Sequence, residues 1–179
     1  MQWTDSYTHS GATGTYTLTL TVTETGYDTV NNTSDISYSL VLSVTGSGFG
    51  SYDTGGTLTI YSPVTETNIV NSTYSRRASC NSSSPLTLFS DTLSAVAHNA
   101  DGTLTLTCGG SAYRTGSNPY FNQTLTLSGK QFACTAISRG LMRIKSNGEW
   151  KQAIPYIKVS EEWKRAMCYI KNGEWKLCT

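Results

Sequence analysis

A strict alternation of apolar and hydroxyl-bearing residues is the feature that most constrains the fold of this chain. From Thr15 to Thr23 every second residue is a threonine, and the residues between them are Tyr16, Leu18, Leu20 and Val22. A period of two places successive side chains on opposite faces of an extended strand. The segment therefore predicts a β-strand with one face on a hydrophobic core and the other face in water.

The same pattern recurs up to Cys134. Inward positions are predicted for further apolar residues spaced by two: Ile36, Tyr38, Leu40, Leu42 and Val44; Leu58 and Ile60; Leu104, Leu106 and Cys108; Leu125 and Leu127; Phe132 and Cys134. No segment combines a helical period with helix caps. Short strands separated by turn residues are typical of an antiparallel β-sandwich, so the predicted fold class is all-β, with a jelly-roll or immunoglobulin-like sandwich.

Three segments are predicted to lie outside these strands. Residues 1–12 are mostly polar and include Trp3 and Tyr7; they are predicted either to form an arm that lies on a neighbouring subunit or to fray. Gly46–Gly56 and Gly109–Pro119 are rich in glycine and are predicted to be long loops. Such loops on a rigid sandwich often carry binding groups, although mobile connections are the alternative. The candidate binding residues in or beside them are Tyr52, Tyr113, Arg114 and Tyr120.

The end of the chain contains one short unit three times. Each copy begins with Ile-Lys and ends with Glu-Trp-Lys, and the copies span Ile144–Lys151, Ile157–Lys164 and Ile170–Lys176. Asn-Gly in the first and third copies predicts β-hairpins, because these residues adopt positive φ easily. The third copy predicts a two-residue Asn172-Gly173 turn, and the first copy, which is one residue longer, predicts a three-residue loop over Ser146-Asn147-Gly148. In the predicted register a lysine lies opposite a glutamate on one face. The middle copy has Glu161 where the first has Gly148, which predicts a strained turn or another turn type.

On the other face of each predicted hairpin an isoleucine lies opposite a tryptophan. These pairs are candidate assembly or docking residues: Ile144 with Trp150, Ile157 with Trp163, and Ile170 with Trp175. One interpretation is a small hydrophobic core; the other is a stacking platform for sugar rings or a partner. A module this small rarely buries enough apolar area to fold alone. It is therefore expected to dock on the sandwich or on copies of itself.

The distribution of charge predicts two modules. The chain has 179 residues, of which 14% are charged, and its net charge is +1, which does not favour nucleic-acid binding. Residues 1–138 hold four Lys/Arg and eight Asp/Glu, whereas residues 139–179 hold nine and four. The balance thus changes from −4 to +5 at the junction. We predict a sandwich over residues 1–138 and a hairpin module over residues 139–179.

No arrangement of residues predicts an enzyme, a metal site or a cofactor site. His98 and Asp101 surround one tight turn, where Asp and Asn side chains usually bond to the backbone. The five cysteines include no Cys-x-x-Cys motif and predict buried reduced thiols. No apolar segment predicts a signal peptide or a membrane span, so the protein is expected to be made in the cytosol without membrane insertion.

Several blocks resemble a known family. They are Ser10–Leu18, Asn32–Leu40, His98–Gly102 and Thr135–Arg139, together with the Lys-x-Asn-Gly-x-Trp-Lys repeats. These blocks are similar to the β-sandwich module of minor structural proteins in siphophage tail tips, fibres and baseplates, and the repeats resemble those near the ends of many phage surface proteins. Ser138 stands where the family pattern usually has proline. The resemblance implies a virion protein without enzymatic activity.

Three functions follow as hypotheses. The first is a non-enzymatic virion structural protein associated with the tail tip or a fibre, with a role in assembly or host attachment. Its partners would be other virion proteins and copies of itself, because virion parts assemble with rotational symmetry. The second is a carbohydrate-binding adhesin module for host cell-wall glycans. The third is a capsid decoration or head-fibre protein.

Overall fold

The structure, a computed structural model, describes residues 1–137, 142–153, 155–166, 169–172 and 174–177. Eight strands make up the larger part of the chain: β1 (Gln2–Gly11), β2 (Gly14–Asp28), β3 (Thr33–Gly46), β4 (Phe49–Ser62), β5 (Thr67–Cys80), β6 (Leu86–Ala97), β7 (Thr105–Arg114) and β8 (Leu125–Ala133). Six shorter strands follow: β9 (Met142–Ser146), β10 (Glu149–Ala153), β11 (Tyr156–Val159), β12 (Glu162–Arg165), β13 (Tyr169–Asn172) and β14 (Glu174–Leu177). Within the described ranges there is no helix long and apolar enough to cross a membrane.

Strands β1 to β8 form two four-stranded antiparallel sheets with the orders β1-β2-β3-β6 and β5-β4-β7-β8. One continuous core contains buried residues from both sheets, including Leu20 and Leu40 from the first and Leu58 and Leu106 from the second. The predicted antiparallel β-sandwich is therefore confirmed.

The alternation that predicted these strands corresponds to their two faces. Tyr16, Leu18, Leu20 and Val22 are fully buried, and the threonines between them are partly exposed. Burying one such apolar side chain contributes about 1.5–3 kcal/mol to folding. Threonine suits the outer face because its branched Cβ fits the pleated strand while its hydroxyl remains accessible to water.

The N-terminal residues form an edge strand, so the predicted arm or frayed end is wrong. Strand β1 pairs with β2 along its whole length, from Gln2 opposite Thr23 to Gly11 opposite Gly14. Trp3 packs against the core. Asp5 also accepts a hydrogen bond from Lys130 on β8 at 2.8 Å, which links the edges of the two sheets. The sequence hid this strand because its inward positions include Asp5 and His9 rather than apolar residues.

The two predicted glycine-rich loops are largely strand, which corrects a second expectation. Strand β4 begins at Phe49, and β7 continues to Arg114. The glycines fit these strands because neighbouring atoms occupy the space of a side chain. A Cβ on Gly56 would lie 2.9 Å from the Ser111 carbonyl oxygen, and a Cβ on Gly110 would lie 3.0 Å from Leu40 Cδ2. Close packing between and within the sheets therefore requires glycine here.

The three predicted hairpins are present, each as a separate two-stranded antiparallel pair. Their register differs by one residue from the predicted one. Isoleucine lies opposite lysine, and tryptophan lies opposite the other lysine: Ile144 with Lys151 and Lys145 with Trp150; Ile157 with Lys164 and Lys158 with Trp163; Ile170 with Lys176 and Lys171 with Trp175. Residues opposite each other share a face, so the predicted Ile/Trp and Lys/Glu pairs are wrong.

The turns explain the register. In the first hairpin Asn147 and Gly148 have φ values of 52° and 85°, which defines a two-residue turn instead of the predicted three-residue loop. In the middle hairpin Ser160 and Glu161 have φ values of 49° and 69°. These residues adopt the left-handed conformation at a cost that glycine avoids, so the predicted strain is present. In the third hairpin Asn172 pairs with Glu174, and Gly173 lies outside the described residues.

Candidate functional site

The most organised polar group in the sandwich is a buried network of Glu24, Ser34 and His98. Glu24 lies on β2, Ser34 lies on the adjacent β3, and His98 follows β6. The Ser34 hydroxyl donates to Glu24 Oε1 at 2.7 Å and lies 2.8 Å from His98 Nε2. All three residues are buried. The network thus connects neighbouring strands of the first sheet from within the core.

The second oxygen of Glu24 bonds the segment that follows β8, a strand of the other sheet. Glu24 Oε2 accepts hydrogen bonds from the backbone N–H of Thr135 at 2.9 Å and from the Thr135 hydroxyl. Burial raises the pKa of this carboxyl, but the bonds from Thr135 and Ser34 and the nearby Met1 ammonium outweigh that effect and lower the pKa overall. Glu24 is therefore held as a carboxylate between the sheets.

His98 begins the turn that the sequence predicted. Its Nδ1 donates to the Gly102 carbonyl at 2.8 Å, because a carbonyl oxygen can only accept. Asp101 does not share this network: its carboxylate accepts from the Thr103 backbone N–H at 2.9 Å and from the Thr103 hydroxyl at 2.7 Å. Those bonds lower the Asp101 pKa. The predicted turn is confirmed by the bond from the Gly102 N–H to the Asn99 carbonyl at 2.9 Å.

A serine, a histidine and a glutamate in one chain of hydrogen bonds invite comparison with a hydrolase triad. In a triad the carboxylate orients the histidine, and the histidine activates the serine. Here the Gly102 carbonyl bonds His98 Nδ1, while Glu24 accepts the Ser34 proton. The Ser34 residue is only 1% exposed. The arrangement is therefore one of mutual satisfaction inside the core, without access for a substrate.

The same region offers three kinds of metal-ligating atom. Donor atoms of Glu24, His98 and Cys134 lie within 4.8 Å of one another. However, Ser34 Oγ lies 2.8 Å from His98 Nε2, where a zinc ion would have to lie about 2.0–2.1 Å from that nitrogen. Burial and the nearby carboxylate raise the Cys134 pKa to about 12, so its thiol is neutral. These residues fit proton sharing better than cation binding.

The candidate binding residues of the sandwich lie on strands and in one loop. Tyr52 is on β4, Tyr113 and Arg114 end β7, and Tyr120 lies in the following loop. The rings of Tyr52 and Tyr120 meet edge to face with centroids 5.3 Å apart. The pKa of Tyr52 is raised, and the neighbouring Tyr120 side chain is the largest cause. The structure thus brings these two tyrosines together at one end of the second sheet.

Tyr113 lies beside the same part of β4. It pairs with Gly55, and a Cβ on Gly55 would lie 2.5 Å from the Tyr113 ring. Arg114 pairs with Thr54 and is exposed. Asp53 and Arg77 add a charged pair 3.9 Å apart. We call the group of Tyr52, Asp53, Arg77, Tyr113 and Tyr120 the aromatic corner.

The candidate assembly residues lie on the hairpin strands at equivalent register positions. In the middle hairpin Ile157 is 53% exposed and Trp163 is 69% exposed. Tyr156 and Val159 of the same hairpin are exposed as well. The side chains of Ile144, Trp150, Ile170 and Trp175 lie outside the described residues. In the middle hairpin, whose Ile and Trp side chains are both described, the predicted small core of paired Ile and Trp is absent.

Comparison with known proteins gives the setting in which these features occur. Residues 6–161 match a family described as "Siphovirus protein of unknown function (DUF859)". The chain belongs to this siphovirus family. The match includes nearly all of the sandwich and the first hairpin, and it ends in the turn of the middle hairpin. No curated protein and no solved structure matches the chain.

The siphovirus protein therefore comes from a bacteriophage, as the sequence blocks implied. Its buried network was not predicted from the sequence, yet a signal was available. Glu24 continues the inward series that ends with Val22, and Ser34 precedes the inward series that starts at Ile36. A charged residue at a core-facing strand position requires a partner. That partner, Thr135, is 111 residues distant in sequence and could not be found from the pattern.

Proposed function

We propose that this siphovirus protein is a non-enzymatic structural component of the virion, associated with the tail tip or a fibre, and that its hairpins serve in assembly. The observation that carries the proposal is the exposure of large apolar side chains in the middle hairpin, with Trp163 at 69% and Ile157 at 53%. Isolated two-stranded hairpins are marginally stable in water. Contact with a partner would bury these side chains and stabilise the hairpin.

A second copy of the chain is the partner we propose first. Virion parts are assembled with closed rotational symmetry, and a symmetric contact lets one short repeated motif meet itself or its neighbour. The hairpin module carries an excess of positive charge and the sandwich an excess of negative charge, at +5 and −4. This opposite balance also supports contact between the hairpins of one copy and the sandwich of another.

Light scattering tests the assembly role. We expect the full chain to form a defined oligomer and a chain ending at Arg139 to be a folded monomer. Trp163→Ser should weaken the oligomer, because a buried tryptophan at an interface commonly contributes about 2 kcal/mol or more. Tyr27→Ser is the matched control, since Tyr27 is 57% exposed on the sandwich. A full chain that stays monomeric at high concentration would contradict the proposal.

The aromatic corner favours carbohydrate binding as a second function. Partly exposed aromatic rings beside a charged pair can stack on a sugar and hydrogen-bond to its hydroxyls. We expect Tyr120→Ala to abolish binding of the full chain to host cell-wall glycans. Tyr61→Ala is the control, because Tyr61 lies on β4 with nearly the same exposure, 37% against 38%. Equal binding by both variants, or none by the unaltered chain, would exclude this corner as a glycan site.

The position of the protein in the virion is a separate question, because a capsid decoration or head-fibre protein would share the same sandwich and hairpins. Electron microscopy of phage particles labelled with an antibody to residues 1–137 distinguishes the two. Label at the tail tip supports the proposal, and label on the head supports the capsid alternative.

A further inference from the structure

We propose that His98 carries protons on both ring nitrogens in the folded protein and forms a buried ion pair with Glu24 through the Ser34 hydroxyl. This pair acts as a proton-dependent clamp on the segment that leaves the sandwich toward the hairpins. The inference rests on a count of protons and acceptors in the network and is independent of the proposed role in the virion.

His98 Nδ1 faces a backbone acceptor. It lies 2.8 Å from the Gly102 carbonyl oxygen, and that oxygen has no proton to give. Nδ1 must therefore carry a proton. The Gly102 carbonyl also accepts from the backbone N–H of Ile137 at 3.0 Å, so it is occupied as an acceptor from both directions.

Ser34 lies between the other two members of the network. Its oxygen lies 2.7 Å from Glu24 Oε1 and 2.8 Å from His98 Nε2. Each contact needs one proton between its two heavy atoms, and the hydroxyl supplies only one. The other proton comes either from His98 Nε2 or from a protonated Glu24. The network is thus a carboxylate with an imidazolium, or a carboxylic acid with a neutral imidazole.

The surroundings of Glu24 select the first form. Both groups of Thr135 that contact Glu24 Oε2 act as donors, and the Met1 ammonium lies 3.9 Å away. An ionised carboxylate is acceptor-only and meets all of these donors. The Cys134 thiol is the other titratable group facing Glu24, and it is neutral because burial raises its pKa to about 12. A buried carboxylate with so many donors favours a positive partner at His98.

The clamp follows from the hydrogen bonds that connect the pair to the residues after β8. Glu24 holds Thr135, and the carbonyl that accepts from His98 also accepts from Ile137. Both residues belong to the short segment that follows β8 and precedes the hairpins. Protonation of Glu24 would weaken the hydrogen bonds from Thr135, because a carboxylic acid is a poorer acceptor than a carboxylate, and it would also remove the reason for the His98 charge. Acid is therefore expected to loosen this exit segment before it unfolds the sheets.

Nitrogen-15 NMR of the histidine rings in the full chain tests the proposal directly. At pH 7, where an ordinary imidazole is mostly neutral, we expect His98 to show two protonated ring nitrogens. His9 is the only other histidine, and the variant His9→Gln assigns the two sets of signals. A His98 ring with one protonated nitrogen at pH 7 would overturn the proposal.

The variant Glu24→Gln tests whether the charge of Glu24 holds the second proton on His98. In Glu24→Gln the acceptor is no longer charged, so His98 should lose its Nε2 proton at pH 7 and keep the proton on Nδ1. Thr126→Gln on the outer face of β8 is the control and should leave the His98 signals unchanged. If Glu24→Gln does not fold, the spectrum of the unaltered chain still decides. A folded Glu24→Gln variant whose His98 stays doubly protonated would show that Glu24 is not the partner.

Discussion

The sandwich and the hairpins solve the same problem of apolar burial in opposite ways. In the sandwich, two sheets cover each other and share one core that includes Leu20 and Leu58. In the middle hairpin, Ile157 and Trp163 lie on opposite faces, and both are more than half exposed. The sandwich thus covers its own apolar side chains, whereas the middle hairpin leaves its apolar side chains exposed unless a second surface covers them. The difference indicates which part of the chain maintains the fold and which part is available for contacts.

The largest effect that would test this contrast is expected in the core. Leu20→Ala removes a fully buried side chain and should lower the free energy of unfolding by about 2–5 kcal/mol. Trp163→Ala should change it by less than about 0.5 kcal/mol in the dilute chain, because that side chain is mostly in water. Urea unfolding followed by circular dichroism measures both. Similar losses would mean that the hairpins are part of the sandwich core.

A smaller effect is expected from acid. The folded-state pKa of Glu24 is lowered, so the folded protein binds fewer protons there than the unfolded chain does. Its contribution to stability is present above the ordinary glutamate pKa of about 4.3 and is lost as the pH falls through the lower folded value. Glu24→Gln should lack this part of the loss. Exposed Asp28 and Asp101 also have lowered pKa values and act in the same direction in both proteins. Urea unfolding of both proteins between pH 7 and pH 3 measures the difference, and parallel curves would contradict it.

The turn of the middle hairpin gives the next effect. Glu161 has a φ of 69°, and Glu161→Gly should stabilise the hairpin by about 1 kcal/mol. The variant also removes the Lys158–Glu161 contact at 2.6 Å, but an exposed pair of this kind contributes little. Amide chemical shifts of Lys158 and Trp163 report the population of the hairpin. The matched opposite change is Gly148→Ala, which should weaken the first hairpin; an increase in its population would contradict the role of turn strain.

The smallest effect concerns thiol chemistry. Cys80, Cys108 and Cys134 are buried and free, and burial raises the pKa of Cys108 and Cys134 to about 12. At pH 8 these thiols should stay protonated and resist alkylation until the sandwich unfolds. Mass spectrometry of peptides after iodoacetamide treatment, with and without urea, measures this at each cysteine. Rapid labelling of Cys108 in the native protein would show that the core opens far more easily than the sheets suggest.

The sequence predicted most of the sandwich because alternation is a local signal. Tyr16 to Val22 and Ile36 to Val44 show the period of two directly, and both series are buried. Strand β1 and the glycine-rich part of β4 escaped prediction, because their positions depend on neighbours. Position 55 requires glycine because Tyr113 and Thr115 occupy the space that a Cβ would fill. Such packing cannot be inferred from composition.

The candidate sites were less predictable, and for a similar reason. The sequence presents Tyr52 and Tyr120 as separate loop residues, whereas their contact depends on where β4 begins and where the loop after β7 returns. In the hairpins the repeat was clear, but one residue of register separates a shared Ile/Trp face from two different faces. That choice was made by the left-handed pairs Asn147-Gly148 and Ser160-Glu161. A single turn type thus outweighed the side-chain pairing that the sequence favoured.

The register of the hairpins has a consequence for the number of neighbours that one chain can engage. In the middle hairpin Ile157 and Val159 alternate with Lys158, and Trp163 lies opposite that lysine on the other face. The hairpin therefore exposes apolar side chains on both faces, and a partner that packs on one face leaves the other face uncovered. Contacts of this kind extend from copy to copy until rotation closes a ring, or continue as a fibre if it does not. If the hairpins serve in assembly as proposed, the middle hairpin would connect two neighbours rather than bind one partner.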